Sequence, residues 1–184
     1  MRIISGKFGG RKILTPAKMP LTRPTTDFAK EGLFNILQNR ITLEGIKTLD
    51  LFGGTGSISL ELASRGASML DIVEKNSQMS TSIKKNFEHL GIENVQIYSM
   101  DVFEFIEKAH EKYQVIFAGP PYALNEIDLL PEKIFQKELL APDGIFILEH
   151  TPRNEYSNFP FFRFQRNYGT TIFSFFEANN SAST

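Results

Sequence analysis

The chain has 184 residues, 41% hydrophobic and 22% charged, the proportions of an ordinary folded domain and a length that one domain accommodates, which excludes a disordered chain. With no cysteine, a disulfide framework, a thiolate nucleophile and a cysteine-based zinc site are excluded, and the three scattered histidines do not suggest a metal centre. The net charge of −1 hides an asymmetry, because residues 1–26 carry +6 (Arg2, Lys7, Arg11, Lys12, Lys18 and Arg23, with no acid) and the remainder −7.

A basic arm on an acidic body fits contact with a phosphate backbone, where each neutralised phosphate releases counterions. A solvated loop is the plainer alternative. Ile3-Ile4 and Ile13-Leu14 flank a turn from Gly6 to Gly10, which predicts a short N-terminal β-hairpin displaying Arg2, Lys7, Arg11 and Lys12. The arm, residues 1–26, is expected to be an appendage to a main domain over 27–178, with a polar, frayed tail over 179–184. The apolar runs are strand-sized, well short of the ~20 residues of a membrane helix, and Met1-Arg2-Ile3-Ile4-Ser5-Gly6 has no signal-peptide character. The expected location is therefore the cytoplasm, with no membrane partner.

After Pro20 and Pro24, Thr26 or Asp27 can cap a helix in which Leu33, Ile36, Leu37 and Ile41 recur at helical spacing. From residue 46 strands and helices alternate. Strands are predicted at 46–51, 69–74, 95–99, 113–118 and 144–149, and helices at 57–65, 76–90, 101–110 and 130–140. Met79, Ile83, Phe87 and Leu90 share one face of the second of these helices and are expected in the core. Phe159 to Tyr168 and Thr170 to Phe176 meet at Gly169 with no room for a crossover helix, so they should form an antiparallel hairpin at the sheet edge. The expected fold class is α/β: a doubly wound, mostly parallel sheet ending in that hairpin, the layout of Rossmann-like methyltransferases, in the order 3-2-1-4-5-7-6.

Ligands of open α/β sheets bind at the carboxyl ends of the strands, and the chemistry-bearing segments fall there. Leu49-Asp50-Leu51-Phe52-Gly53-Gly54-Thr55-Gly56 lies between strand one and its helix. Gly54 and Gly56 begin a dinucleotide fingerprint, but Ser59 stands at its third glycine position, which weakens a nicotinamide reading. Asp50 would repel a pyrophosphate and suits the cationic amino end of S-adenosylmethionine. Glu74, 24 residues further on, ends strand two and can accept from both ribose hydroxyls. Asp101 follows strand three, where it can accept from an adenine amino group beside the Val102 amide; a helix N-cap is the structural alternative. After strand four, Gly119-Pro120-Pro121-Tyr122 offers carbonyl acceptors without amide donors on a rigid backbone, suited to directing an exocyclic amine, and Tyr122 can stack on a splayed base.

Several segments together resemble the bacterial 16S ribosomal RNA guanine-N2 methyltransferase family. They are Met1 to Lys7; Arg23-Pro24-Thr25-Thr26-Asp27 with Glu31 and Leu33 to Leu37; Leu49 to Gly56 with Ser64-Arg65-Gly66-Ala67; Val73-Glu74-Lys75; and Tyr168-Gly169-Thr170. The resemblance implies S-adenosylmethionine held by Asp50, Gly53, Gly54, Gly56, Glu74, Asp101 and Val102, catalysis at Gly119 to Tyr122, and no metal. A monomer is expected, and the resemblance implies as its partner ribosomal RNA or the small ribosomal subunit, engaged by Arg2, Lys7, Arg11 and Lys12, with Arg23 and Thr25 near the mouth of the site. One departure stands out: the family motif reads Asp-Pro-Pro-Tyr, and Gly119 replaces the Asp that accepts from the target amine. Loss of such a charge-assisted bond, roughly 1.5–3 kcal/mol, implies turnover impaired by about 10- to 200-fold. The alternatives are an adenine-N6 nucleic-acid methyltransferase, which uses a similar loop, and a non-catalytic RNA-binding or ribosome-assembly factor on the same fold.

Overall fold

The computed structural model describes residues 1–20 and 24–178; Arg23 and the tail over 179–184 lie outside the described residues. Seven strands form one sheet in the order β3-β2-β1-β4-β5-β7-β6. β1 (Lys47–Leu51), β2 (Met69–Val73), β3 (Val95–Tyr98), β4 (Tyr113–Ala118) and β5 (Leu140–His150) run parallel. β6 (Phe162–Tyr168) and β7 (Thr171–Glu177) close the edge as the expected antiparallel hairpin, turning through Gly169 at φ 65°.

The helices cover both faces. Thr26, not Asp27, caps α1 (Asp27–Arg40), its side chain accepting from the Ala29 amide. α1, α2 (Ser57–Ser64) and α3 (Ser77–His89) pack Leu33, Phe34, Leu37, Ile58, Ile83 and Phe87 on one face of the sheet. α4 (Val102–Lys108) and α5 (Leu129–Gln136) pack Phe105, Ile106, Leu130 and Ile134 on the other. β4 shows why the central strands read as unbroken apolar runs: Val115 and Phe117 serve the first core while Ile116 and Ala118 serve the second, so neither face can be polar. Met79, Ile83 and Phe87 are buried as expected, whereas Leu90 caps the end of α3 and is only half-buried.

Element boundaries shift from expectation, most of all where α5 gives way to β5. The helix predicted to reach residue 140 stops at Gln136, and β5 begins at Leu140 rather than 144 because Leu140 pairs with Tyr113 ahead of a register shift. Asp143 makes that shift in a left-handed conformation, φ 62°.

The basic arm does form a turn-backed pair, with an Arg2–Lys12 bridge and an Ile3 amide to Arg11 carbonyl bond of 2.9 Å. It does not stand apart from the body. Ile3 and Ile13 are buried in the first core, and the fully buried Glu61 of α2 accepts from the Ile4 and Ser5 amides at 2.7 and 3.0 Å. Lys30 of α1, also without solvent exposure, donates to the Arg2 carbonyl at 2.5 Å and lies 3.8 Å from Glu61.

Candidate active site

Strand register builds the site. Leu51 pairs with Val73 and Ala118, Val73 with Tyr98, and Ala118 with Leu148, so the strands end level and the residues that follow them form a row. A cavity of about 690 Å³ opens along it, within the ~300–1,000 Å³ range of small-molecule sites. Asp50, Gly53, Gly54, Glu74, Asp101 and Val102 line one part, and Gly119 to Tyr122 with Thr25 line another. Gly56 lies just beyond the wall, capping α2 at φ 78°, a left-handed conformation that favours glycine. Gly53 is required by space: a Cβ there would stand 2.5 Å from Cγ2 of Ile72.

Asp50 and Glu74 have partners that the sequence did not name. Asp50 is 1% exposed and accepts from the Ser59 hydroxyl at 2.7 Å. The serine at the would-be fingerprint glycine therefore has a task, and a glycine there would leave that carboxylate without its donor. Burial pushes the Asp50 carboxyl up to about 7, opposed by the Ser59 bond and reinforced by the charge of Glu74. Glu74 braces the glycine turn, accepting from the Gly54 amide on one oxygen and the Asn76 amide on the other, each at 2.8 Å. Asp101 is the N-cap of α4: its Oδ1 accepts from the Phe103 and Glu104 amides. The structural alternative thus holds for Asp101, and the residue still lines the cavity.

The loop after β4 is also more differentiated than its sequence. Pro120 is buried and Pro121 exposed. The Pro121 carbonyl closes a turn by accepting from the Leu124 amide at 3.0 Å, while no described hydrogen bond uses the Pro120 carbonyl. Of the two acceptors, Pro120 is the one that faces no competing donor.

Sequence reasoning missed Glu149, near the end of β5. It is 4% exposed, lines the cavity, and accepts from the Thr25 hydroxyl at 2.5 Å and the Tyr122 hydroxyl at 3.4 Å. Burial raises its carboxyl above the ordinary value, opposed by those two hydroxyls. The available signal was the criterion that selected Asp50, Glu74 and Asp101, an acid at a strand's carboxyl end. On the arm, Arg2, Lys7, Arg11 and Lys12 are exposed, with Arg2 3.7 Å from Asp27; none lines the cavity. Among the described residues no helix is long and apolar enough to cross a membrane.

The model of the family described as Conserved hypothetical protein 95 matches residues 1–177. The chain belongs to that family. Its relatives include the Ribosomal RNA small subunit methyltransferase D of Buchnera aphidicola subsp. Acyrthosiphon pisum, 36% identical over 141 residues that span 74% of this chain and 72% of that protein. A hypothetical protein of Thermus thermophilus, TTHA0928, superimposes with a TM-score of 0.84 at 27% identity, covering 97% of this chain and 99% of that one. The T. thermophilus 16S rRNA N2 G1207 methyltransferase, solved with AdoMet and guanosine, shares the fold at a TM-score of 0.67 and 24% identity, over 86% of this chain and 45% of that one. Family and fold together place the chain among the rRNA methyltransferases of the Rossmann-like, S-adenosylmethionine-dependent class.

Proposed function

We propose that this chain transfers a methyl group from S-adenosylmethionine to the exocyclic N2 of a guanine in small-subunit ribosomal RNA. The observation that carries the reading is the meeting, in one cavity, of a carboxylate row after β1 to β3 and a Pro-Pro-Tyr loop after β4. The donor set suits the cofactor. Asp50 is buried without a cation, so a positively charged amino end beside it relieves the burial that holds its proton. Each Glu74 oxygen accepts one amide and has a further lone pair for a ribose hydroxyl. Asp101 and the Val102 amide stand at the start of α4 for an adenine edge, and Gly53, Gly54 and Gly56 let the chain pass close.

S-Adenosylmethionine supplies an electrophilic methyl group on a cationic sulfur. The chain's own work is orientation. The nitrogen lone pair of an exocyclic amine is delocalised into the base, and the Pro120 carbonyl turns it outward by accepting one N–H. Tyr122 offers its ring to the base. The exposed Arg2, Lys7, Arg11 and Lys12 hold the phosphate backbone, with Thr25 at the cavity wall.

The test is incubation of the protein and cofactor with small-subunit RNA from cells lacking this chain, followed by nucleoside mass spectrometry. N2-methylguanosine is expected. N6-methyladenosine, or no methylated nucleoside, would overturn the reading.

A further inference from the structure

An exocyclic amine that must present its lone pair to a methyl group carries two N–H bonds, and both need acceptors in a dry pocket. The Pro120 carbonyl provides one. Gly119 has no side chain to provide the other, and the Pro121 carbonyl already accepts from the Leu124 amide. The carboxylate that does reach this end of the cavity comes from the neighbouring strand. Because Ala118 pairs with Leu148, Gly119 and Glu149 lie side by side, and a Cβ built on Gly119 would stand 3.7 Å from Oε2 of Glu149. Glu149 is buried, touches Thr25 and Tyr122 at the mouth of the site, and has no cationic partner among the described residues.

Building on the proposed guanine-N2 reading, we infer that Glu149 is a catalytic residue, the second acceptor for the target amine. The nitrogen gains the methyl carbon as that carbon's bond to sulfur breaks and its electron pair stays on sulfur. The nitrogen's surplus proton then goes to the Glu149 carboxylate. Thr25 and Tyr122 hold the carboxylate in place through their hydroxyls. The glycine at 119 accordingly leaves space beside a carboxylate that is already present, and turnover does not depend on a carboxylate at that position.

Glu149→Gln keeps the shape and an oxygen acceptor for Thr25 but removes the charge. The experiment compares wild type, Glu149→Gln and the double variant Glu149→Gln, Gly119→Asp in single-turnover methylation of small-subunit RNA, with thermal unfolding alongside. It also measures, with S-adenosylhomocysteine present, the affinity of each for an RNA fragment bearing guanosine or inosine at the methylated position. Inosine lacks the 2-amino group. Glu149→Gln is expected to slow methyl transfer about 10- to 200-fold and to lose the wild-type preference for guanosine over inosine. The double variant, with a carboxylate on the adjacent strand end, is expected to regain part of the rate. A Glu149→Gln protein that keeps the guanosine preference overturns the assignment, whether its rate is normal or reduced. Should the variant fail to fold, the wild type decides: equal affinity for the guanosine and inosine fragments overturns it. Methylation by the wild type at a base other than guanine removes the guanine reading itself, an outcome distinct from guanine methylation that ignores position 149.

Discussion

Asp50→Asn isolates the consequence of burying an acid at the floor of the cavity. In the unfolded chain this carboxyl ionises near its ordinary value of 3.8, whereas in the fold burial holds the proton until about pH 7. Below 3.8 both states are neutral and the group contributes nothing to the pH dependence. Between 3.8 and 7 the unfolded chain gives up the proton first, so stability falls as pH rises. Above 7 the loss is constant. At about 1.4 kcal/mol per pH unit over that interval it reaches about 4 kcal/mol. Asparagine cannot ionise and still offers an oxygen to the Ser59 hydroxyl, 2.7 Å away. The variant should therefore match the wild type near pH 4 and exceed its stability progressively up to about pH 8, by up to about 4 kcal/mol. Urea unfolding of both proteins without cofactor, at a series of pH values, measures the difference. A gap that stays flat with pH would refute the reasoning, because it would mean that Asp50 is as easily ionised inside the fold as outside it.

The same group links pH to the cofactor: S-adenosylmethionine should bind more tightly as pH rises from about 5.5 to about 7.5, and Asp50→Asn should weaken binding and flatten that trend by calorimetry. Replacing Arg2, Lys7, Arg11 and Lys12 together by Ala should weaken RNA binding and reduce the slope of log affinity against log salt by about 0.7–0.9 for each phosphate no longer neutralised; an unchanged slope would return the arm to a solvated loop. Glu61→Ala should cost roughly 3–5 kcal/mol in unfolding experiments, since it strands the buried Lys30 and two arm amides, and a loss below about 1 kcal/mol would contradict the anchoring role.

Much of this molecule is written in local pattern. The alternation of strands and helices, the two-sided apolar strands, the hairpin around Gly169 and the acids at strand ends depend on spacing along the chain, because each records how one element buries its own side chains. Other features depend on what lies across the sheet. Leu140 joined β5 only because Tyr113 was there to pair with it, overriding the turn-like Ala141-Pro142-Asp143-Gly144. The basic arm reads as an appendage until Glu61 and Lys30, remote in sequence, meet it from α2 and α1. Asp50, Glu74 and Gly119 to Tyr122 could be chosen from sequence as candidates. The Ser59 donor, the amides on Glu74, and the choice of Pro120 over Pro121 could not, since a hydrogen bond between elements has no periodicity to betray it. Glu149 marks the boundary most clearly. In sequence it is one acid in Leu148-Glu149-His150 at the end of a strand. Its place beside Gly119 follows from parallel register, and its burial and its bond to Thr25 at a separation of 124 residues follow from tertiary packing, both of which bring together side chains that local spacing along the chain cannot relate.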